Sequence, residues 1–303
     1  MLNNGIVETD TLKMFVKVAE LGSFTRAAEH LGLSKARVSM AVRALEADVG
    51  SHLLQRSTRA VRLTPDGETF LLRARQLVND ADELASLFQT PTLLRGRVRV
   101  DMPQSLARST FIPRLPEWLA AHPNIEVQLS TTDRRVDVIR EGFDCVLRVG
   151  NLQDSALVAR RLGEFSMMNC ASPAYLRKHG TPRTLEDLKD HLVVHYSIGF
   201  GADAPGFEYR DGSVYREYPM RSVITVNSTD SYNAACLAGL GIVQSPRIGL
   251  MPSVMAGDLV EILPQHTCQP MPVSIVHAHG RSVPRHVRLV MNWIAEVLKG
   301  RLT

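Results

Sequence analysis

Residues 19–67 read AELGSFTRAAEHLGLSKARVSMAVRALEADVGSHLLQRSTRAVRLTPDG, and this stretch decides the fold. Just upstream, Leu12, Phe15, Val16 and Ala19 recur at spacings of three and four, as on one amphipathic helix. Gly22 ends that helix. Ser23 is placed to cap a second one, which carries Phe24, Ala27, Ala28 and Leu31 and breaks at Gly32. Ser34 caps a third helix, running to about Val49, and Gly50 closes it.

At 3.6 residues per turn, Val38, Val42, Leu45 and Val49 of the third helix fall in one narrow sector, the expected core face. Ala36, Arg37, Met40 and Arg43 lie opposite, flanked by Lys35 and Ser39. Small residues let a helix backbone come close to a partner, while Arg and Lys reach phosphates and base edges. A short helix, a tight turn and a basic helix fit the helix-turn-helix plan, although periodicity alone allows any three-helix bundle.

The segment after Gly50 holds two short strand-like runs, Leu53 to Gln55 and Ala60 to Leu63, around the turn formers Ser57 and Thr58. Arg56, Arg59 and Arg62 sit in or beside this hairpin, which reads as a basic wing rather than an ordinary surface hairpin. From Leu21 to Arg62 seven Lys and Arg face three Asp and Glu, a local excess of four that equals the +4 of all 303 residues. Such an excess on a small folded unit fits a polyanion partner; a solvated charged surface is the alternative.

Thr64 and Pro65 open a long helix. In it Phe70, Ala74, Leu77, Ala81, Leu84 and Phe88 alternate at spacings of four and three, an expected dimer seam. The alternative is that the stripe packs on the domain behind it. Thr90, Pro91 and Thr92 break the helix, and strands then alternate with helices to the end of the chain. Strands are expected over 98–102, 125–130, 145–149, 165–170, 192–195, 223–226 and 271–277. Helices are expected over 105–121, 136–140, 173–179, 185–188, 228–239 and 285–298, with a hairpin near Asp211 and Gly212. This alternation predicts two α/β subdomains on largely parallel sheets, with a ligand cleft between them.

With 45% hydrophobic and 22% charged residues, the composition is that of an ordinary globular chain. Cys145, Cys170, Cys236 and Cys268 form no CxxC pair and read as buried free thiols. No signal peptide and no membrane-length apolar run is evident, so a cytoplasmic protein with no membrane partner is expected.

The dense pattern over 19–67 resembles the winged helix-turn-helix of LysR-type transcription regulators. Phe24, Ala27, Ala28, Leu31, Ser34, Ser39, Leu45, Glu46, Gly50, Leu53, Arg56, Arg62, Leu63, Thr64 and Gly67 all stand where that pattern has them. The segment VNSTDSYNAACLAGLGIVQSP resembles the second-subdomain helix of the same family and the strand after it. There are departures. Lys35 and Ala36 replace the common Gln-Pro, and Leu54 replaces the usual Phe, so Lys35, Arg37 and Met40 make an individual reading surface.

The resemblance implies an α plus α/β chain in three parts. A winged helix-turn-helix spans 1–63, a linker and dimerisation helix 64–90, and a periplasmic-binding-protein-like effector domain 91–303. Within the last, subdomain I covers about 95–162 and 269–303, and subdomain II about 163–268. The set expected on double-stranded operator DNA is Ser23, Thr25, Arg26, Ser34, Lys35, Ala36, Arg37, Ser39, Met40, Arg43, Arg56, Ser57, Thr58, Arg59 and Arg62. The set expected around a small polar or carboxylate effector is Pro103, Gln104, Ser105, Thr131, Thr132, Arg148, Phe200, Asn227, Ser228 and Thr229. Helix capping is the alternative role for each Ser and Thr, and a structural ion pair for Arg148. Further partners are a second copy of the chain, as homodimer or homotetramer, and RNA polymerase as a candidate.

An enzyme is not expected, because HExxH, GxSxG and P-loop motifs are all missing. Gly239 and Gly241 follow a helix rather than a strand, which is the wrong context for a dinucleotide fingerprint. His277 and His279 could share one face of a strand, but no third metal ligand is evident, so neither a metal nor a cofactor is expected. A small-molecule-binding protein without specific DNA recognition is the remaining rival; it leaves the basic helix-turn-helix unexplained.

Overall fold

A computed structural model describes residues 8–56, 61–86, 94–152, 157–201, 206–279 and 283–303, without the side chains of residues 56, 83, 85 and 86. Helices α1 (Thr9–Leu21), α2 (Phe24–Leu31) and α3 (Lys35–Val49) form the N-terminal unit. Their ends follow the sequence signals. Ser23 accepts from the Arg26 amide and Ser34 from the Arg37 amide. Gly22, Gly32 and Gly50 close the three helices at φ 60°, 66° and 72°, where a side chain would be strained. Phe15, Val18, Ala27, Val38, Val42 and Leu45 meet in the core between them.

Two short strands, β1 (Leu54–Arg56) and β2 (Val61–Leu63), pair antiparallel as the stem of the wing. Helix α4 (Pro65–Ser86) follows at once. Thr64 is its cap, accepting from the Gly67 amide at 2.9 Å while donating to the His52 carbonyl. The first turns of α4 belong to the N-terminal core. Leu71 and Ala74 are buried in it, and Phe70 stacks edge-on against Phe15 at 5.4 Å.

The first α/β subdomain begins with β3 (Gly96–Met102). A broken helical run comes next: α5 (Gln104–Leu106), a π turn (Ala107–Phe111), a 3-10 turn (Ile112–Arg114) and α6 (Leu115–Ala121). The single helix expected over 105–121 is interrupted where Pro113 and Pro116 remove backbone donors. Strands β4 (Ile125–Thr131), β5 (Cys145–Val149) and β6 (Val158–Phe165) complete the chain's first pass. No helix forms over 136–140. Instead, Asp137 Oδ1 accepts from the amides of Ile139 and Arg140, a local turn that competes with helical bonding.

The second subdomain runs through β7 (Met167–Ala171), α7 (Pro173–His179), a 3-10 turn (Glu186–Asp190) and β8 (His195–Tyr196). Then come β9 (Gly206–Asp211), β10 (Val214–Pro219), β11 (Thr225–Val226), α8 (Thr229–Leu237), β12 (Val243–Pro246), α9 (Arg247–Met255) and β13 (Val260–Glu261). The chain returns to the first subdomain as β14 (Met271–His277) and ends on α10 (Arg285–Leu298).

The first sheet has order β4-β3-β5-β14-β6. β3 runs parallel to β4 and β5, whereas β14 runs antiparallel to β5 and β6. The second subdomain holds the antiparallel set β12-β7-β13, the β9–β10 hairpin and the parallel pair β8–β11. The expectation of largely parallel sheets is therefore corrected: returning strands make both subdomains mixed. Because β6 stays in the first sheet through Phe165, the crossing lies at Ser166 rather than at residues 162–163.

Candidate nucleic-acid interface and ligand cleft

The N-terminal unit presents one basic face. On α3, Lys35, Ala36, Arg37, Met40 and Arg43 are exposed, Met40 at 65%, and Ser39 is half-buried. Among the described residues, the side chains of Lys35, Arg37 and Arg43 make no ion pair, so their charge is free for a partner. Thr25 and Arg26 are exposed on the first turn of α2. Ser23 and Ser34 have taken capping roles, yet each keeps a hydroxyl hydrogen that can point at a phosphate. Arg62 is exposed on β2. Ser57, Thr58, Arg59 and the Arg56 side chain lie outside the described residues.

The core face of α3 departs from expectation at one end. Val49, beside the cap, is exposed at 38%. Glu46 is buried instead, and its Oε1 accepts from the amides of Leu53 and Leu54 at 2.9 and 3.0 Å. That carboxylate ties the end of the recognition helix to the start of the wing.

Helix α4 also differs from a free seam. Ala74 is 1% exposed inside the N-terminal core, so it is not available to a second chain, and Phe70 packs there too. Leu77 and Leu84, one heptad apart, are exposed at 57% and 72%; Ala81 is half-buried. Phe88 lies outside the described residues. The polar side of α4 meets the first subdomain. Arg75 donates to the Ile139 carbonyl at 3.1 Å, and Asn79 donates to His279 Nδ1 at 2.9 Å. Burial holds the His279 imidazolium form down, to about 4, and pushes the Asp144 carboxyl beside it up, to about 6.

Between the two α/β subdomains lies a cavity of about 680 Å³. Of the expected effector residues, Pro103, Ser105, Thr132, Arg148 and Thr229 line it. Gln104, Thr131, Asn227 and Ser228 do not. Phe200, 62% exposed and at a φ of 50°, also lies off the cavity wall. Ser228 is a helix cap, accepting from the Ser231 amide. Thr229 is engaged from across the cleft: its amide and its hydroxyl both donate to Asp133 Oδ2.

The wall is more apolar than a cluster of hydroxyls suggests, with Leu106, Val136, Leu152, Ile248 and Met271 contributing. Arg148 Nη1 donates to Asp101 Oδ2 at 3.3 Å, and Asp101 is fully buried. Burial raises the Asp101 carboxyl and lowers the Arg148 guanidinium, each opposed by the charge of the other.

Two family models together account for most of the chain. The model for the bacterial regulatory helix-turn-helix protein, lysR family, matches residues 9–68, and the LysR substrate binding domain matches residues 91–299. The chain belongs to the LysR family. Similar proteins include an uncharacterized HTH-type transcriptional regulator, YhjC, of Escherichia coli; it is 43% identical, covering 95% of this chain and 97% of that protein. An HTH-type transcriptional repressor of Pseudomonas aeruginosa is 36% identical over 93% of this chain and 90% of its own length. Among solved structures, the LysR-type regulator CrgA of Neisseria meningitidis superposes with a TM-score of 0.61 at 28% identity, covering 96% of this chain and 99% of that one. The protein is a LysR-type transcription regulator, with a helix-turn-helix DNA-binding domain and an effector-binding domain.

Several residues of the LysR-like pattern have visible physical roles. A Cβ on Gly67 would stand 2.0 Å from the Leu53 carbonyl oxygen, so only glycine lets α4 start this close to the wing. Glu46 and Leu53 are the two sides of the clamp described above. Sequence reasoning missed Asp133, Tyr196, Tyr232, Asn233 and Gln244, all of which line the cavity between the subdomains. Asn233 sits one turn beyond Thr229 on the cavity side of α8, and helical periodicity from Thr229 could have found it. The four thiols are buried and unpaired; burial pushes Cys170, Cys236 and Cys268 up to about 12 and Cys145 higher still. Among the described residues no three His, Cys, Asp or Glu gather as a metal site, and no helix is long and apolar enough to cross a membrane.

Proposed function

We propose that this LysR-type regulator works in the cytoplasm as a homo-oligomer, with no catalytic step of its own. Paired α3 helices read two half-sites of a pseudo-palindromic operator through Lys35, Arg37, Met40 and Arg43. Arg26, Arg62 and the wing hold the flanking phosphates. The observation that carries this reading is the outer face of α3, where exposed cations without ion-pair partners among the described residues surround small residues. Leu77 and Leu84 on α4 support pairing with a second chain. A small amphipathic ligand in the cleft changes the angle between the subdomains, and the oligomer then alters how it spaces or bends DNA. Access of RNA polymerase to the promoter follows from that geometry.

Binding of the purified full-length protein to its own upstream intergenic duplex, against a scrambled duplex at two salt concentrations, tests the reading. Tighter binding to the first, weakening steeply with salt, is expected. Equal, weak binding to both duplexes would reduce the basic face to a non-specific surface and leave a ligand-binding protein.

A further inference from the structure

Three buried side-chain atoms on the cavity wall have no hydrogen-bond partner among the described residues: Arg148 Nη2, Asp133 Oδ1 and Asn233 Oδ1. Unsatisfied buried polar atoms are unfavourable, so three on one cavity mark where the complementary groups of a ligand belong. Their senses differ. Arg148 offers a cationic donor, its other nitrogen being held by Asp101. Asp133 and Asn233 offer acceptors.

The start of α8, whose Asn227, Ser228 and Thr229 are among the expected effector contacts, is already filled by the chain's own carboxylate. Asp133 Oδ2 takes both the amide and the hydroxyl of Thr229. An incoming anion is therefore directed to Arg148, and a second one meets the fixed negative charge of Asp133. At the mouth, Arg134 is neutralised by two hydrogen bonds to Glu141, while exposed Arg135 adds a cation. Between the polar points the wall is aliphatic and aromatic, with Tyr196 and Tyr232 edge-on at 5.6 Å.

We infer that the cleft takes an amphipathic monocarboxylate carrying a hydrogen-bond donor away from its carboxylate. The carboxylate lies on Arg148, the donor on Asp133 and Asn233, and the apolar body along the wall between. Asp133 is the residue that determines specificity: it selects for the donor and excludes dianions. This rests on the reading of the cleft as the effector site and names what that site accepts.

Calorimetric titration of the full-length protein with four probes tests it: phenylpropanoate, its para-hydroxy and para-carboxy derivatives, and phenylpropanol. The para-hydroxy acid is expected to bind about tenfold tighter than phenylpropanoate, because a site built to hydrogen-bond a hydroxyl rejects the analogue without one. The para-carboxy acid and phenylpropanol are expected to bind more weakly than phenylpropanoate. Asp133→Asn should narrow the gap between the para-carboxy and para-hydroxy acids. Arg148→Gln should bring phenylpropanoate down to the level of phenylpropanol.

The ranking on the unmodified protein decides the question even if either variant folds poorly. A dianion binding as tightly as the hydroxy acid, or phenylpropanol as tightly as phenylpropanoate, overturns the inference while leaving the cleft a ligand site. Silence from all four at about 10 mM, above the affinity that poorly fitted ligands of this size reach, also overturns it. The operator experiment needs no ligand and tests DNA recognition separately.

Discussion

Asp133, in the loop after β4, holds the first residue of α8 at two points: one carboxylate oxygen accepts from the Thr229 amide at 2.5 Å and from its hydroxyl at 2.6 Å. The two residues lie on opposite subdomains, so this cap also joins them. Nearby, Arg108 reaches Asp230 at 3.3 Å, but that arginine is 75% exposed and adds little. Asp133→Ala should destabilise the effector domain by about 1–3 kcal/mol, since it removes charge-assisted bonds at the positive end of a helix. Thermal unfolding of the full chain should show a midpoint lower by several degrees; an unchanged midpoint would mean the cap carries no energy.

Glu46 offers a second stability test. Its Oε1 serves two buried amides, those of Leu53 and Leu54. Glu46→Ala leaves both without that acceptor, which should cost about 2–4 kcal/mol. Urea unfolding followed through the N-terminal unit checks this. Affinity for specific and scrambled duplexes should fall together, because the wing loses its angle to α3 rather than a base contact.

Arg37 is exposed and makes no ion pair among the described residues. Arg37→Ala should weaken operator binding by about 1–3 kcal/mol if the guanidinium reads a base. Anisotropy titration against operator and scrambled duplexes distinguishes the roles. An equal loss on both would make Arg37 a phosphate contact.

Leu77 and Leu84 stand out on α4 as large exposed apolar side chains one heptad apart. The double replacement Leu77→Asp with Leu84→Asp should turn the protein monomeric in sedimentation velocity. Monomer stability should change by no more than about 0.5 kcal/mol per site, since both side chains are mostly exposed. An unaltered sedimentation coefficient would place the oligomer contact elsewhere.

The contact of α4 with the first subdomain should respond to pH. His279, held at about 4 in the fold against the ordinary 6.5, is refused a proton that the unfolded chain accepts between those values. Stability from this residue is therefore full above about pH 6.5 and falls as pH drops towards 4. Asp144 works the other way. Pushed up to about 6, it takes a proton in the folded state that the unfolded carboxylate does not yet hold. The two nearly offset each other near pH 5. His279→Gln removes only the first, so the variant should retain about 1–2 kcal/mol more of its neutral-pH stability at about pH 5 than the parent. Unfolding midpoints of both proteins at the two pH values measure it, and parallel losses would show that His279 does not contribute.

What could be read from the chain was local. Ser23, Ser34 and Thr64 cap helices whose partner amides lie within three residues, and Gly22, Gly32 and Gly50 end helices where a positive φ is needed. β6 was missed because VARRLGEF has four exposed residues at its start and two adjacent arginines, which erase the alternation of a half-buried strand. The cleft was read in part. Pro103 and Thr132 directly follow strand ends and Arg148 is the penultimate residue of β5, a positional rule that sequence carries. Asp133 stands next to Thr132, but its partner Thr229 is 96 residues away, and no local pattern links them. Ala74 failed as a seam residue for a similar reason. Periodicity locates a stripe on α4 but not which body covers each part of it.

The burial of Leu71 and Ala74 in the N-terminal core gives α4 a mechanical property. Its 22 residues form a stiff rod of roughly 33 Å, joined at one end to the body that carries α3. Such a rod converts angle into distance: a tilt of about 10° at the far end sweeps the attached body through about 6 Å over that length. One base step on a strand advances about 3.4 Å, so a rearrangement too small to disturb any core can shift a recognition helix by more than a base pair.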